Sequence, residues 1–195
     1  RGGVERVLLC VADVSGKGLP AALVMSNMQA TLRALLGRTH SLTDLAARAS
    51  DLLYDSTAPE KYVTAALLEL TPHSGAARFV GAGHLDNVVI SADGGVRSLS
   101  STGAPLGLLP PGLPYELAEF TIESGDCLVL YSDGVSDAQN GADEEFGEAR
   151  LVDLLRRSAG EPAAVVIERV FDAIDAFVGD APQFDDITML VLRRH

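Results

Sequence analysis

The sequence predicts an α+β fold in one domain spanning residues 1–195. Short β-branched runs cluster in the middle of the chain, helical periodicities fall before and after them, and the two kinds of segment do not alternate as βαβ units would. The length suits one domain of ordinary size, and no internal repeat, low-complexity tract or polar linker divides it. Apolar residues at 47% and charged residues at 22% are near globular averages, so a packed core is expected rather than disorder.

The elements follow in order. Residues 4–13 are rich in Val and Leu and read as a buried strand, being too short for a convincing helix. Residues 20–36 read as a helix, because Ala22, Met25, Met28, Leu32 and Leu35 recur at three- and four-residue spacing and Gly37 supplies the stop. Ser41, with Asp44 three residues on, forms a capping box that opens a second helix through about Tyr54. Residues 62–122 switch to short β runs broken by turn chemistry at 72–75, 93–95 and 103–114, which predicts an antiparallel meander. Residues 127–131 form another buried strand, ended by Asp133-Gly134. Helices are expected over 148–157 and 162–178, the second with Pro in its first turn and an apolar stripe from Ile167 to Phe177. A last strand, 187–192, follows Asp185-Asp186 directly.

The charge balance removes several function classes. With 27 acidic against 15 basic residues the net charge is −12, which repels phosphodiester backbones and anionic lipid and argues against nucleic-acid binding. The longest apolar runs, 7–12 and 65–68, fall far short of a spanning helix, so no membrane insertion is expected. Cys10 and Cys127 each sit inside an apolar run, as reduced buried thiols do, and a cytoplasmic setting follows. The chain starts at Arg1 without a methionine and enters a strand almost at once, so it is expected to be part of a longer, multidomain protein.

Three carboxylates stand where an apolar strand meets a turn: Asp13 after VLLCVA, Asp133 after LVLYS, and Asp185 before ITMLVL. Each alone could simply cap a turn. Converging, they would repel one another unless a cation intervened, and an all-oxygen set selects Mg²⁺ or Mn²⁺ rather than zinc. Other chemistries fail on the residues. The cysteines lack an Arg and a Gly-rich cradle, and Gly16-Lys17-Gly18 is followed by Leu19 where a phosphate-binding loop needs Ser or Thr. Gly81-Ala82-Gly83-His84 lacks the third glycine of a dinucleotide fingerprint, and His84 reads as a hydrogen-bonded structural histidine. Ser15 and Ser132 neighbour the carboxylates, yet no nearby His would activate either as a nucleophile.

Read together, ADVSGKGLPAALVMS at 12–26, GAGH at 81–84, LYSDGVSDA at 130–138 with EEFG at 144–147, and FDDITMLVLR at 184–193 are far more specific. In order and spacing they resemble the SpoIIE/RsbU branch of the PPM metal-dependent serine/threonine phosphatases. The resemblance implies a four-layer α-β-β-α sandwich of two antiparallel sheets flanked by helices, and hydrolysis of phosphoserine or phosphothreonine by metal-activated water. It implies catalytic and metal-binding roles for Asp13, which bridges two Mn²⁺ or Mg²⁺ ions, and for Asp133 and Asp185, with the backbone carbonyl of Val14 as a further ligand. It also implies that Gly134 lets the backbone pass close to the site and that Asp186 and Thr188 support the ligand strand.

Family members carry an acidic Gly-Gly-Asp-type motif on a strand upstream of the first block. Only twelve residues precede Asp13 here, without that motif, so a sheet edge is expected to lack a strand and the second metal a ligand. The substrate implied is a phosphorylated STAS-domain anti-anti-sigma factor in bacterial partner switching, with an upstream sensor domain in the same chain as regulator. A homodimer through the helices is open. The alternative is a signalling scaffold that keeps the fold and the partner surface without turnover.

Overall fold

The computed structural model describes residues 5–183 and 185–195. Val4, in the first expected strand, and Phe184, in the last motif, lie outside the described residues. The chain divides into two compact units, residues 1–86 with 100–121 and residues 87–99 with 122–195. Each is built on a four-stranded antiparallel sheet.

In the first unit, β1 (Val7–Val14), β2 (Val63–Leu70), β3 (Ala76–Ala82) and β6 (Ala118–Thr121) lie in the order β1-β2-β3-β6. Helices α1 (Leu19–Leu35) and α2 (Leu42–Ser56) pack on each other, α1 also on β1 and α2 on β2 and β3. Met28 and Leu32 of α1 and Leu45, Ala49 and Leu53 of α2 bury themselves against Val63, Ala65 and Leu67, which are alternate residues along one face of β2. One half of the expected capping box is present, with Ser41 Oγ accepting the Asp44 N–H at 3.0 Å, while Asp44 Oδ2 accepts the N–H of His40, one residue before the cap, at 3.0 Å. Arg48 also donates to Asp44 and holds its carboxyl below the usual carboxylate range.

In the second unit the order is β5-β4-β7-β8, with β4 Asn87–Ile90, β5 Val96–Leu99, β7 Cys127–Tyr131 and β8 Met189–Arg193. Helix α4 (Glu148–Arg157) packs on α5 (Ala163–Val178), which lies against β8. The rings of Phe146 and Phe177 meet edge to face at 5.5 Å, and the Arg150 guanidinium sits 4.8 Å from the centre of the Phe177 ring.

The α+β class and the two helix-flanked antiparallel sheets are as expected, and the helices lie within two residues of their expected bounds. The continuous meander is corrected. The β2–β3 hairpin belongs to one sheet and the β4–β5 hairpin to the other, after which the chain returns to place β6 beside β3. Turn chemistry marks where a strand ends but says nothing of which sheet the next one joins. Asp133-Gly134 also does more than end a strand, since it opens the single-turn helix α3 (Asp133–Ser136).

Both cysteines are free thiols, Cys10 part-buried and Cys127 buried. Burial pushes the Cys127 thiol up and that of Cys10 to about 11. Both should resist alkylation at pH 7.5 in the native chain and react on denaturation, as mass spectrometry would read. The sign for Cys10 is that stability is retained below pH 9.0 and falls as pH rises toward about 11, because the unfolded thiol ionises first. In urea melts Ser41→Ala should cost ~1 kcal/mol through the lost cap. Leu53→Ala, emptying the core, should cost ~2–5 kcal/mol.

Candidate functional site

Asp13 and Val14 are the last two residues of β1, which among the described residues is an edge strand paired with β2. Asp13 therefore ends inside the strand rather than beyond it, opposite Thr64. The next residue decides what the strand end offers. The Ser15 N–H donates to the Tyr62 carbonyl at 3.0 Å, so the Val14–Ser15 peptide turns its N–H toward the 60–62 segment. In a trans peptide the carbonyl points the opposite way, and no peptide in the described residues is cis. The Val14 carbonyl is thereby aimed to the unpaired side of the edge strand, as a ligand oxygen must be. Ser15 Oγ accepts the Tyr62 N–H at 3.0 Å and donates to the Glu60 carbonyl at 3.3 Å.

Thr64 joins this region to the GAGH block. Its hydroxyl lies 3.0 Å from His84 Nδ1, and His84 is 4% exposed, which agrees with a structural histidine. The glycines of that block are explained by packing. A Cβ on Gly81 would stand 2.8 Å from Ser101 Cα, and one on Gly83 would enter the ring of Pro105. The segment 101–105 lies directly on these glycines, and Gly83 N–H donates to Gly103 O at 2.8 Å.

In the second unit β7 delivers Asp133. Buried Asn87 accepts the Tyr131 N–H on its Oδ1 at 2.7 Å, fixing the strand end two residues earlier. Buried Ser132 then stitches the chain to the start of the last strand. Its N–H donates to Thr188 O at 3.0 Å, its Oγ accepts the Thr188 N–H at 3.0 Å, and its hydroxyl donates to Asp186 O at 3.2 Å. Gly134 makes that approach possible, since any Cβ there would collide with the Asp186 carbonyl and carbonyl carbon. The backbones bearing Asp133 and Asp185 are thus drawn together through the main chain of Asp186 and Thr188. Asp185 is exposed, its Oδ1 accepts the Asp186 N–H at 2.7 Å, and it borders a cleft of about 220 Å³ lined also by Gly134, Asp175 and Ile187.

Asp13 and Val14 belong to the first unit, Asp133 and Asp185 to the second. Among the described residues no three Asp, Glu, His or Cys side chains are gathered as a metal cage. The donor chemistry nonetheless fits a hard divalent cation: carboxylates and one freed carbonyl, with no thiolate or imidazole. The close approach allowed by Gly134 brings two of the acid-bearing segments side by side. Sequence reasoning weighed Ser15 and Ser132 as nucleophiles and missed their use as backbone clamps. Asn87 and Lys61, whose ammonium donates to the Ser15 carbonyl, gave no local signal because their partners lie 44 and 46 residues away.

A family model described as Stage II sporulation protein E (SpoIIE) matches residues 3–195. The chain belongs to the SpoIIE family. Within it the match to RsbU places this SpoIIE domain in the SpoIIE/RsbU branch of the PPM-type serine/threonine phosphatases. Protein IcfG of Synechocystis is 24% identical over 222 residues, covering 99% of this chain and 34% of IcfG. Phosphoserine phosphatase RsbU of Bacillus subtilis is 26% identical over 195 residues, covering 97% of this chain and 56% of RsbU. The SpoIIE domain described here therefore spans between a third and just over half the length of these curated relatives. The fold is that of the SiaA-PP2C domain of Pseudomonas aeruginosa, with a TM-score of 0.87 at 23% identity, over 99% of this chain and 78% of that one.

Gly134→Ala should destabilise the domain by ~1–3 kcal/mol in urea melts, because the Asp186 backbone has to move. Gly141→Ala, whose Cβ would meet nothing within 4 Å, should stay within ~0.5 kcal/mol of the parent. Equal losses at the two positions would refute the close-approach role.

Proposed function

We propose that residues 1–195 act as a phosphatase domain that hydrolyses phosphoserine or phosphothreonine on a regulatory protein, with Mn²⁺ or Mg²⁺ held by Asp13, Asp133, Asp185 and the Val14 carbonyl. The observation that carries this reading is the set of directed oxygens, in particular a Val14 carbonyl turned out of the sheet beside Asp13. RsbU, a relative over almost the whole chain, is named a phosphoserine phosphatase. PstP, a serine/threonine phosphatase whose catalytic domain shares the fold at a TM-score of 0.64 and 14% identity, is solved in complex with two manganese ions.

Hydrolysis joins the water oxygen to phosphorus and breaks the bond from phosphorus to the serine or threonine oxygen. That oxygen takes up a proton from the attacking water to become the free hydroxyl, and inorganic phosphate leaves. A bound divalent cation supplies an activated water and neutralises phosphoryl charge. The chain's own task is to hold oxygens in place, and the Ser15 and Ser132 hydroxyls are already spent on backbone clamps rather than on nucleophilic attack. Asp13, Asp133 and Asp185 would hold the cation together with the Val14 carbonyl.

The partner proposed is a phosphorylated STAS-domain protein, with control from a sensor domain in the same protein. Leu19 and Leu23 on α1, 73% and 62% exposed, give regulation or self-association an apolar surface to use. No helix among the described residues is long and apolar enough to cross a membrane.

A phosphoserine peptide assayed with Mn²⁺ and with chelator tests the reading. Turnover should require the metal, and Asp13→Asn should lower it by about a hundredfold or more. Full metal-dependent turnover by Asp13→Asn would remove Asp13 from the site. Absence of turnover by the parent chain under all metals would instead favour the scaffold.

A further inference from the structure

The backbone that follows the two candidate ligands of β1 is held entirely by one tripeptide. Ser15 exchanges hydrogen bonds with Tyr62 and Glu60, and its carbonyl accepts a fourth bond, from Lys61 Nζ at 3.1 Å. Three of these bonds join backbone or hydroxyl groups, whereas the fourth brings a charge. In a chain with 27 acidic residues, Lys61 has no carboxylate at ion-pair distance among the described residues. Its ammonium is spent on a main-chain oxygen instead.

What that bond controls is the orientation of the Ser15–Gly16 peptide. Gly16 sits at φ +87°, where glycine lets the preceding peptide rotate at little cost. A charge-assisted bond to the Ser15 carbonyl takes that freedom away. Gly16 also leaves the room Lys61 needs, because a Cβ there would stand 2.7 Å from the ammonium nitrogen.

We propose that Lys61 is a positioning residue for the cation site. By holding the Ser15 carbonyl it fixes the Ser15–Gly16 peptide and keeps Ser15 seated on Tyr62, the contact that directs the Val14 carbonyl as a divalent cation requires. The inference rests on the reading of Asp13 and Val14 as ligands. The sign of the effect separates it from simple electrostatics. Removing a positive charge close to a cation site should tighten metal binding by Coulomb's law, whereas loss of positioning should weaken it.

The test is calorimetric titration of Mn²⁺ into the chain and into Lys61→Met and Lys61→Arg, with circular dichroism to follow the fold and turnover of a phosphoserine peptide to follow KM. Lys61→Met should bind Mn²⁺ about tenfold more weakly with its fold intact. Lys61→Arg, which restores a cationic donor, should return to within about threefold of the parent. Lys61→Gln carries the same test if Lys61→Met does not fold. Unchanged or tighter Mn²⁺ binding by the neutral variants would overturn the inference and leave the ligand reading standing. A raised KM for the phosphopeptide with the Mn²⁺ affinity unmoved would also overturn it, since Lys61 would then be contacting substrate. Failure of the parent chain to bind Mn²⁺ at all would overturn the ligand reading itself, and the inference with it.

Discussion

Serine-to-backbone hydrogen bonds hold the two strand ends that carry Asp13, Val14 and Asp133. A strand that offers oxygens to a ligand has to withhold them from the sheet, and the chain beside them then needs another anchor. Ser15 supplies it after Asp13 and Val14, and Ser132 supplies it before Asp133. In both places the hydroxyl accepts from one backbone N–H and donates to a nearby carbonyl, so a small side chain replaces two or three rungs of β ladder.

Close backbone approach is the second recurring device. Gly134 lies on the Asp186 carbonyl, Gly81 on Ser101 and Gly83 on Pro105, each with a spacing that no Cβ permits. Gly81 and Gly83 belong to a run that falls one glycine short of a dinucleotide fingerprint. Here they bring loop against strand, and the segments that carry Asp133 and Asp185 gain their proximity from Gly134. The histidine that follows Gly83 is buried against Thr64, the residue that stands opposite Asp13 on β2.

The helices were legible because their signals are local: apolar spacing, the Ser41 and Asp44 cap, and Pro20 and Pro162 at or beside helix starts are all contained within a few turns of chain. Strand identity was legible for the same reason, as β7 illustrates with five consecutive buried apolar residues. Sheet membership was not. The β3 and β4 strands are separated by four residues in sequence yet enter different sheets, a choice made by long-range pairing and not by the turn between them. Of the candidate site, the acids were legible as carboxylates at strand ends. Asp13 is the penultimate residue of β1, Asp133 opens the helix just after β7, and Asp185 stands four residues before β8.

The sequence by itself determined the family. Four ordered motifs resemble the SpoIIE/RsbU branch, and the match over residues 3–195 agrees with that resemblance. Only the tertiary structure decided how the candidate donors are held. The direction of the Val14 carbonyl follows from a bond to Tyr62, the hold on the Ser15 carbonyl comes from Lys61, and the strand end at Tyr131 is fixed by Asn87. Each partner lies more than 40 residues from the group it orients. A hydrogen bond's direction depends on where the fold brings the second atom, and one-dimensional spacing carries no record of that.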